Sequence, residues 1–217
     1  MVDIHKAPTR CYQPDRCAST CLRDVPMASI YGNFVEAPRD QTEYLKIRFS
    51  PTSMPIQKRW RNNGLSADFL ADYLTTFFPG DDAAEIERQA EIKDMVSYVA
   101  NELLENAMKF SHTPSCYPIS LEMYLRQDHI HFYVSNGAAS QNIEAFKQLI
   151  EQLLVEDSEM LYLEQLMRHA ESDSKSSSGI GYLTMLNNYG VELAWKLEPI
   201  DEDTEVVKVT TMVQATL

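Results

Sequence analysis

Residues 97–112, SYVANELLENAMKFSH, decide the predicted fold. At about 100° per residue, an apolar helical face forms from Val96, Val99, Ala100, Leu103, Leu104 and Ala107. Glu102, Asn106 and Lys109 fall together beside this face, because positions i, i+4 and i+7 share one side of a helix. A carboxylate, an amide and an ammonium at one point are typical of a metal–phosphate site. The alternative interpretation is an ordinary solvated helix edge.

A second informative stretch is SSSGIGYLTMLNNYG at residues 176–190. Small residues lead directly into an apolar-periodic helix, and Gly190 is a good left-handed C-cap. Free backbone N–H groups and the positive end of the helix dipole at such a start suit a phosphate. A Ser-rich linker with ordinary turn chemistry is the alternative.

Composition narrows the class of protein. The chain has 217 residues, 44% of them hydrophobic, and a net charge of −13, which predicts a globular protein that does not bind nucleic acid. It has no apolar run long enough to span a membrane, and its N-terminus has no apolar region typical of a secretory signal. The four cysteines lack CxxC spacing, so we expect a reduced, cytoplasmic compartment rather than a disulfide scaffold.

The first 38 residues predict an irregular N-terminal extension, and residues 39–217 a single domain. Four prolines interrupt the extension, which has no apolar periodicity. His5 with Cys11, Cys17 and Cys21 could ligate zinc, but their spacing is not that of a standard zinc site. The alternative start at Met27 would make the first residues an upstream translation artefact or a tail.

The rest of the chain predicts strands gathered in pairs with helices between them. We expect strands at 42–50, 119–125, 129–134, 191–197 and 206–215, with residues 135–139 ending the third. Helices are expected from the N-cap Ser66 to about residue 78, over 82–111, over 141–167 with a break near residues 157–158, and over 180–189. This order predicts an α+β, two-layer sandwich: a mixed, mostly antiparallel sheet with helices on one face.

Three motifs in a fixed order carry a family resemblance: Glu102-x-x-x-Asn106 on a helix, Asn136-Gly137 after a strand, and Ser178–Tyr182 at a helix start. Together they resemble the N, G1 and G2 boxes of the GHKL superfamily of ATPases (the Bergerat, or histidine kinase-like ATPase, fold). The resemblance covers about residues 40–217. It is strongest to the anti-sigma-factor serine kinases of partner switching, with SiaB-type kinase-like proteins as a related group.

The resemblance implies ATP and Mg²⁺ as cofactors and a role for each motif residue. Asn106 is similar to the Mg²⁺-binding Asn, Glu102 to the catalytic carboxylate, and Lys109 would reach a phosphate. The nucleotide-binding residues it implies are Ser135, Asn136, Gly137, Ser178, Gly179, Ile180, Gly181 and Tyr182. Residues 141–178 resemble the mobile lid between the two glycine boxes.

The chain departs from the family pattern at the G1 box. Ser135 stands where the family has the Asp that accepts the adenine amino group, and Ala139 replaces the second Gly. A neutral hydroxyl is a weaker acceptor than a carboxylate.

Two function classes follow. The first is an ATP-dependent serine/threonine protein kinase acting on a partner protein in bacterial signal transduction, with an anti-sigma-factor-antagonist-like protein or a response regulator as substrate. The second is a non-catalytic kinase-like binding module with weakened or lost nucleotide binding. Homodimerisation stays open in both.

Overall fold

The computed structural model describes residues 28–38, 43–52, 56–78, 80–112, 115, 117–126, 128–171, 179–200 and 205–217. The strands are β1 (Ser29–Tyr31), β2 (Tyr44–Phe49), β3 (Ile119–Leu125), β4 (His129–Ala139), β5 (Glu192–Pro199) and β6 (Val206–Thr216). The helices are α1 (Ile56–Thr75), α2 (Ala83–Lys109), α3 (Ile143–Val155), α4 (Ser158–Glu171) and α5 (Ile180–Tyr189). Within these ranges, none of the helices is both long and apolar enough to cross a lipid bilayer.

The six strands form one sheet in the order β1-β5-β6-β4-β3-β2. Every neighbouring pair is antiparallel. The described sheet is therefore entirely antiparallel, whereas we predicted a mixed, mostly antiparallel one. The helices pack on one face and bury the main core against it. The predicted α+β two-layer sandwich is confirmed.

Helix α2 is the centre of this core. Its N-cap is Asp82, whose Oδ1 accepts a hydrogen bond from the Glu85 N–H at 2.9 Å. All six residues of its predicted apolar face are buried. The other side of α2 is therefore free to present polar groups towards the edge of the core.

Helix α1 begins at Ile56, ten residues before the predicted N-cap. Ser66 is no cap, because its hydroxyl donates to the Asn62 carbonyl at 2.8 Å inside the helix. Asn63 is 1% exposed and donates from Nδ2 to Met108 Sδ at 3.0 Å. Two asparagines and Gly64 lower helix propensity here, and packing on α2 compensates for it.

Strand β4 continues to Ala139, whereas we predicted that residues 135–139 end it. These small residues pair with β6 through Ala139↔Val206. A Cβ at Gly137 would lie 2.7 Å from the Tyr117 Cβ, so the glycine allows close packing inside the strand.

The helical segment that we predicted over 141–167 breaks between α3 and α4, near the predicted position. Asp157 Oδ1 accepts from the Met160 N–H at 2.9 Å at the start of α4. Asn187 of α5 donates from Nδ2 to the Ser158 carbonyl at 3.1 Å, while the Ser158 hydroxyl donates to its Oδ1. Helix α5 lies between Gly179 (φ 99°) and Gly190 (φ 58°), and the predicted C-cap is confirmed.

The described end of the predicted irregular extension contains a strand. Ser29–Tyr31 adds β1 to the sheet edge by pairing with β5. Residues Phe34 and Ala37 cover Tyr124, Tyr133, Ala194 and Met212 on the sheet face opposite the helices. Residues 1–27, with the zinc hypothesis and the Met27 question, lie outside the described residues.

Candidate functional site

The polar edge of α2 meets the glycine-rich start of α5. A Cβ built on Gly181 would collide with the Glu102 Oε2 and lie 3.0 Å from its Cδ. The first turn of α5 therefore packs directly on the Glu102 carboxylate, and only a residue without a side chain permits this approach. Two motifs separated by about 75 residues in sequence are neighbours in space.

A cavity of about 550 Å³ opens beside this contact. Helices α2 and α3, the start of α5 and strands β4 and β6 enclose it. Its lining residues are Leu103, Asn106, Ala107, Phe110, Val134, Asn136, Ala138, Asn142, Ile143, Ala145, Phe146, Gln148, Leu149, Gln152, Tyr182, Val209 and Thr211. None of these lining residues is Asp, Glu, Lys or Arg. The cavity is thus apolar with several carboxamides and hydroxyls, which is the usual character of a small-molecule site.

Burial controls the charge state of the groups at the α2–α5 contact. Partial burial, with a smaller contribution from the nearby Glu105 carboxylate, raises the pKa of Glu102. Glu105 itself accepts from Asn101 Nδ2 at 2.9 Å. Burial also raises the pKa of Tyr182, whose ring packs edge-on against Trp195 at 5.7 Å. Glu102 is therefore a stronger base than a solvated glutamate.

Three of the predicted site residues line the cavity: Asn106, Asn136 and Tyr182. Gly179 lies close by, since a Cβ there would be 3.2 Å from Cδ1 of the cavity residue Leu149. Ile180 begins α5 and is half-buried. These residues, together with Glu102 and Gly181, form one continuous region.

Three other predicted residues, Gly137, Lys109 and Ser135, are placed away from the cavity. Gly137 lies within β4 against Tyr117. Lys109 is exposed, with Nζ 5.3 Å from the Phe110 ring centroid, and does not line the cavity. Ser178 lies outside the described residues.

Ser135 is the third of these residues, and the structure does not bring it to the cavity. Its hydroxyl lies 2.8 Å from that of Ser120, on the sheet face opposite the helices. Successive side chains of a strand point to opposite faces, so Asn136 faces the cavity instead. The adenine contact that we predicted for Ser135 does not fit this geometry.

Sequence reasoning missed the contributions of β6 and α3. Thr211 and Val209 line the cavity from the centre of the sheet, Gln148 and Gln152 line it from α3, and Asn142 lines it just before that helix. The alternation of β6 would have indicated that Val209 and Thr211 share a face, but not which face the helices cover.

No protein-family model and no curated protein matches this chain. Among solved structures, a chain of the SiaB–SiaC complex from Pseudomonas aeruginosa has a similar fold. The TM-score is 0.51 at 15% sequence identity, over 80% of this chain and 89% of that chain. At this identity the similarity establishes the fold alone.

Proposed function

We propose that this protein is an ATP-binding, kinase-like regulator that acts on a partner protein in bacterial signalling. One observation carries the proposal: Glu102 packs on the glycine-containing start of α5, and Asn106, one turn further along the same edge of α2, lines the adjacent cavity of about 550 Å³. An amide, a carboxylate and the first backbone N–H groups of a helix beside an apolar cavity suit a nucleoside triphosphate with its metal.

The nucleotide would lie with its phosphates at the start of α5 and its base in the cavity. Gly179 and Gly181 carry no side chain that would block phosphates at this turn once the Glu102 carboxylate moves aside, and the helix dipole favours negative charge there. Asn136 and Thr211 would hydrogen-bond the base from the sheet. A carboxamide both donates and accepts, and so can pair with two adjacent positions of adenine.

The donor chemistry also fits magnesium. Mg²⁺ prefers oxygen ligands and binds through one or two protein oxygens together with substrate phosphates. Asn106 would supply the amide oxygen and hold the ion, which neutralises phosphate charge when bound. Among the described residues no cluster of three His, Cys, Asp or Glu could hold a metal by itself, so we expect binding to depend on the nucleotide.

Glu102 would act as the general base. Its raised pKa and its position at the turn suit a carboxylate that accepts the proton of an incoming Ser or Thr hydroxyl. The Gly179–Gly181 turn would stabilise the charge on the transferred phosphoryl group.

A partner protein is the expected substrate. The similar fold belongs to a chain solved in a complex of two named proteins, SiaB and SiaC, which supports a role through protein association. An anti-sigma-factor-antagonist-like protein or a response regulator is the class of partner that we propose.

The alternative is a kinase-like module that holds its partner without catalysis. The uncharged cavity favours it, because the lining offers no carboxylate to the adenine amino group and Lys109 lies outside. Weak nucleotide binding, or none, would follow.

Calorimetric titration with Mg·ATP tests these alternatives. We expect saturable heat with the wild-type protein, its loss in Asn106→Ala, and no change in Asn188→Ala, the same substitution at an exposed position of α5. Absence of saturable heat in the wild type would remove the kinase proposal. If ATP binds, phosphoryl transfer can be tested by mapping phosphosites on the proteins that are pulled down with the wild type and with Glu102→Gln. We expect phosphorylation of a partner by the wild type and none by Glu102→Gln.

A further inference from the structure

Helix α4 has one side fixed to the core and one apolar side that faces solvent. On the inner side, Leu161 belongs to the main core, and Asn187 of α5 makes two hydrogen bonds to the first residue of α4. On the outer side, Met160, Leu163 and Met167 are 60%, 50% and 65% exposed. The helix is therefore held in place by its buried side while it presents large apolar side chains to water.

The exposed apolar residues have the spacing of a helix–helix seam. Met160, Leu163 and Met167 stand at positions i, i+3 and i+7, which form one row along a helix. Leu166, 42% exposed, lies beside this row. We call these four residues the α4 stripe. Single exposed apolar residues are ordinary on a protein surface, but a continuous row of them is typical of a surface that binds another protein.

Carboxylates dominate the charge near the α4 stripe. Residues 151–168 contain five acidic side chains and one basic side chain. The basic one is Arg168, whose Nη2 lies 3.1 Å from Glu164 Oε2. Glu156 and Glu159 are exposed and have no ion-pair partner among the described residues. A surface complementary to this one therefore combines a row of apolar side chains with lysine or arginine.

A second copy of this chain does not supply that complement. Packing stripe against stripe would bring the same acidic borders together, and like charges on packed helices repel each other. Methionine side chains adapt their shape to a partner, so Met160 and Met167 suit the irregular surface of a helix. An amphipathic helix with basic side chains beside its apolar row matches both the spacing and the charge.

We propose that the α4 stripe binds an amphipathic helix of a partner protein, in which lysine or arginine borders the apolar row. The apolar row packs along Met160, Leu163 and Met167, and a basic side chain pairs with Glu159. The stripe contains none of the residues that line the nucleotide cavity. This docking therefore does not rest on the proposed nucleotide binding, and it can be measured with no nucleotide present.

The probe is a fluorescently labelled peptide of leucine and lysine, LKKLLKLLKKLLKL, whose helix has an apolar face and a basic face. Its anisotropy is followed as the full chain is added. We expect saturable binding that weakens as sodium chloride is added, because exposed charges are screened by salt. The matching leucine and glutamate peptide, LEELLELLEELLEL, should not bind.

Two pairs of variants locate the binding site. Leu163→Gln should weaken the affinity for the lysine peptide about four- to ten-fold, because covering a half-exposed leucine contributes about half of its transfer free energy. Leu65→Gln, at an exposed position of α1, is the matched control and should leave the affinity unchanged. Glu159→Gln should weaken it about two- to five-fold at low salt. Glu87→Gln, at an exposed position of α2, alters the net charge equally and should have no effect.

The proposal is overturned if the wild-type protein does not bind the lysine peptide. It is overturned equally if Leu163→Gln and Leu65→Gln have the same effect and Met167→Gln has none, since the peptide would then bind elsewhere on the acidic surface. Binding of the glutamate peptide as tight as that of the lysine peptide would remove the role of the carboxylates. Self-association in sedimentation velocity that is lost in Leu163→Gln would assign the stripe to a second copy instead.

Discussion

Gly181→Ala is the substitution that separates the proposed function from stability. Gly181 lies in the first turn of α5 with no positive φ, so an alanine suits its backbone. The added methyl group would displace the Glu102 carboxylate, whose Oε2 occupies its position. The change therefore perturbs the site while leaving the core intact.

The two effects of Gly181→Ala on the free energy of unfolding nearly cancel. Glycine to alanine within a helix stabilises by about 0.5–1 kcal/mol, and pushing the flexible Glu102 side chain off its rotamer costs about 0.5–1.5 kcal/mol. We expect the free energy of unfolding to stay within about 1 kcal/mol of the wild type. Mg·ATP affinity should fall at least about ten-fold, or about 1.4 kcal/mol, because both the carboxylate and the approach to the turn are altered.

Urea unfolding and Mg·ATP calorimetry on the same preparations measure the two effects. Gly64→Ala is the control: it lies within α1, and its added Cβ would have no neighbour within 4 Å. It should stabilise by about 0.5–1 kcal/mol and leave ATP binding unchanged. Unaltered ATP affinity in Gly181→Ala would refute the placement of phosphates at this turn, and a loss of several kcal/mol in stability would refute the expectation that the Glu102 side chain moves aside.

Three further predictions concern single side chains. Burial raises the pKa of Glu102, so the folded state favours its protonated carboxyl group. The contribution of Glu102 to the free energy of unfolding is therefore fully present below about pH 4 and is lost as the pH rises through the raised pKa. Glu102→Gln should thus raise stability at pH 7 but not at pH 4, as measured by urea unfolding. Asn136→Asp places a carboxylate in the cavity and should tighten Mg·ATP binding in calorimetry while costing about 1–3 kcal/mol of stability. Ser135→Asp, on the sheet face opposite the helices, should leave the affinity for Mg·ATP unchanged. Equal effects of Asn136→Asp and Ser135→Asp on this affinity would contradict the strand faces assigned to the two residues. Asp82→Ala removes the α2 N-cap bond to Glu85 and should cost about 1 kcal/mol in thermal unfolding; no loss would mean that the cap is not formed in solution.

Local sequence patterns were sufficient for the elements and for their buried faces. The 3.6-residue period over residues 96–107 identified the buried side of α2, and small residues followed by an apolar repeat identified α5. Both signals depend on neighbours within one or two turns, which is the range over which helix geometry acts. The proximity of Glu102 to Gly181, by contrast, came from a family resemblance and not from periodicity.

Strand ends and helix starts could not be predicted where long-range packing decides them. Residues 135–139 contain a glycine and two alanines, which locally favour a turn, but pairing with β6 keeps them extended. Asn62 and Asn63 weaken the start of α1 locally, while burial of Asn63 against Met108 holds it.

By itself the sequence determined that the chain forms an α+β domain in which one helix buries an apolar side and presents Glu102 and Asn106 beside it. Only the tertiary structure decided that Asn136, and not Ser135, faces the cavity, and that α4 buries Leu161 while the α4 stripe stays exposed. The physical reason is that alternation places neighbouring side chains on opposite faces of a strand, but only the packing of helices determines which face becomes the core.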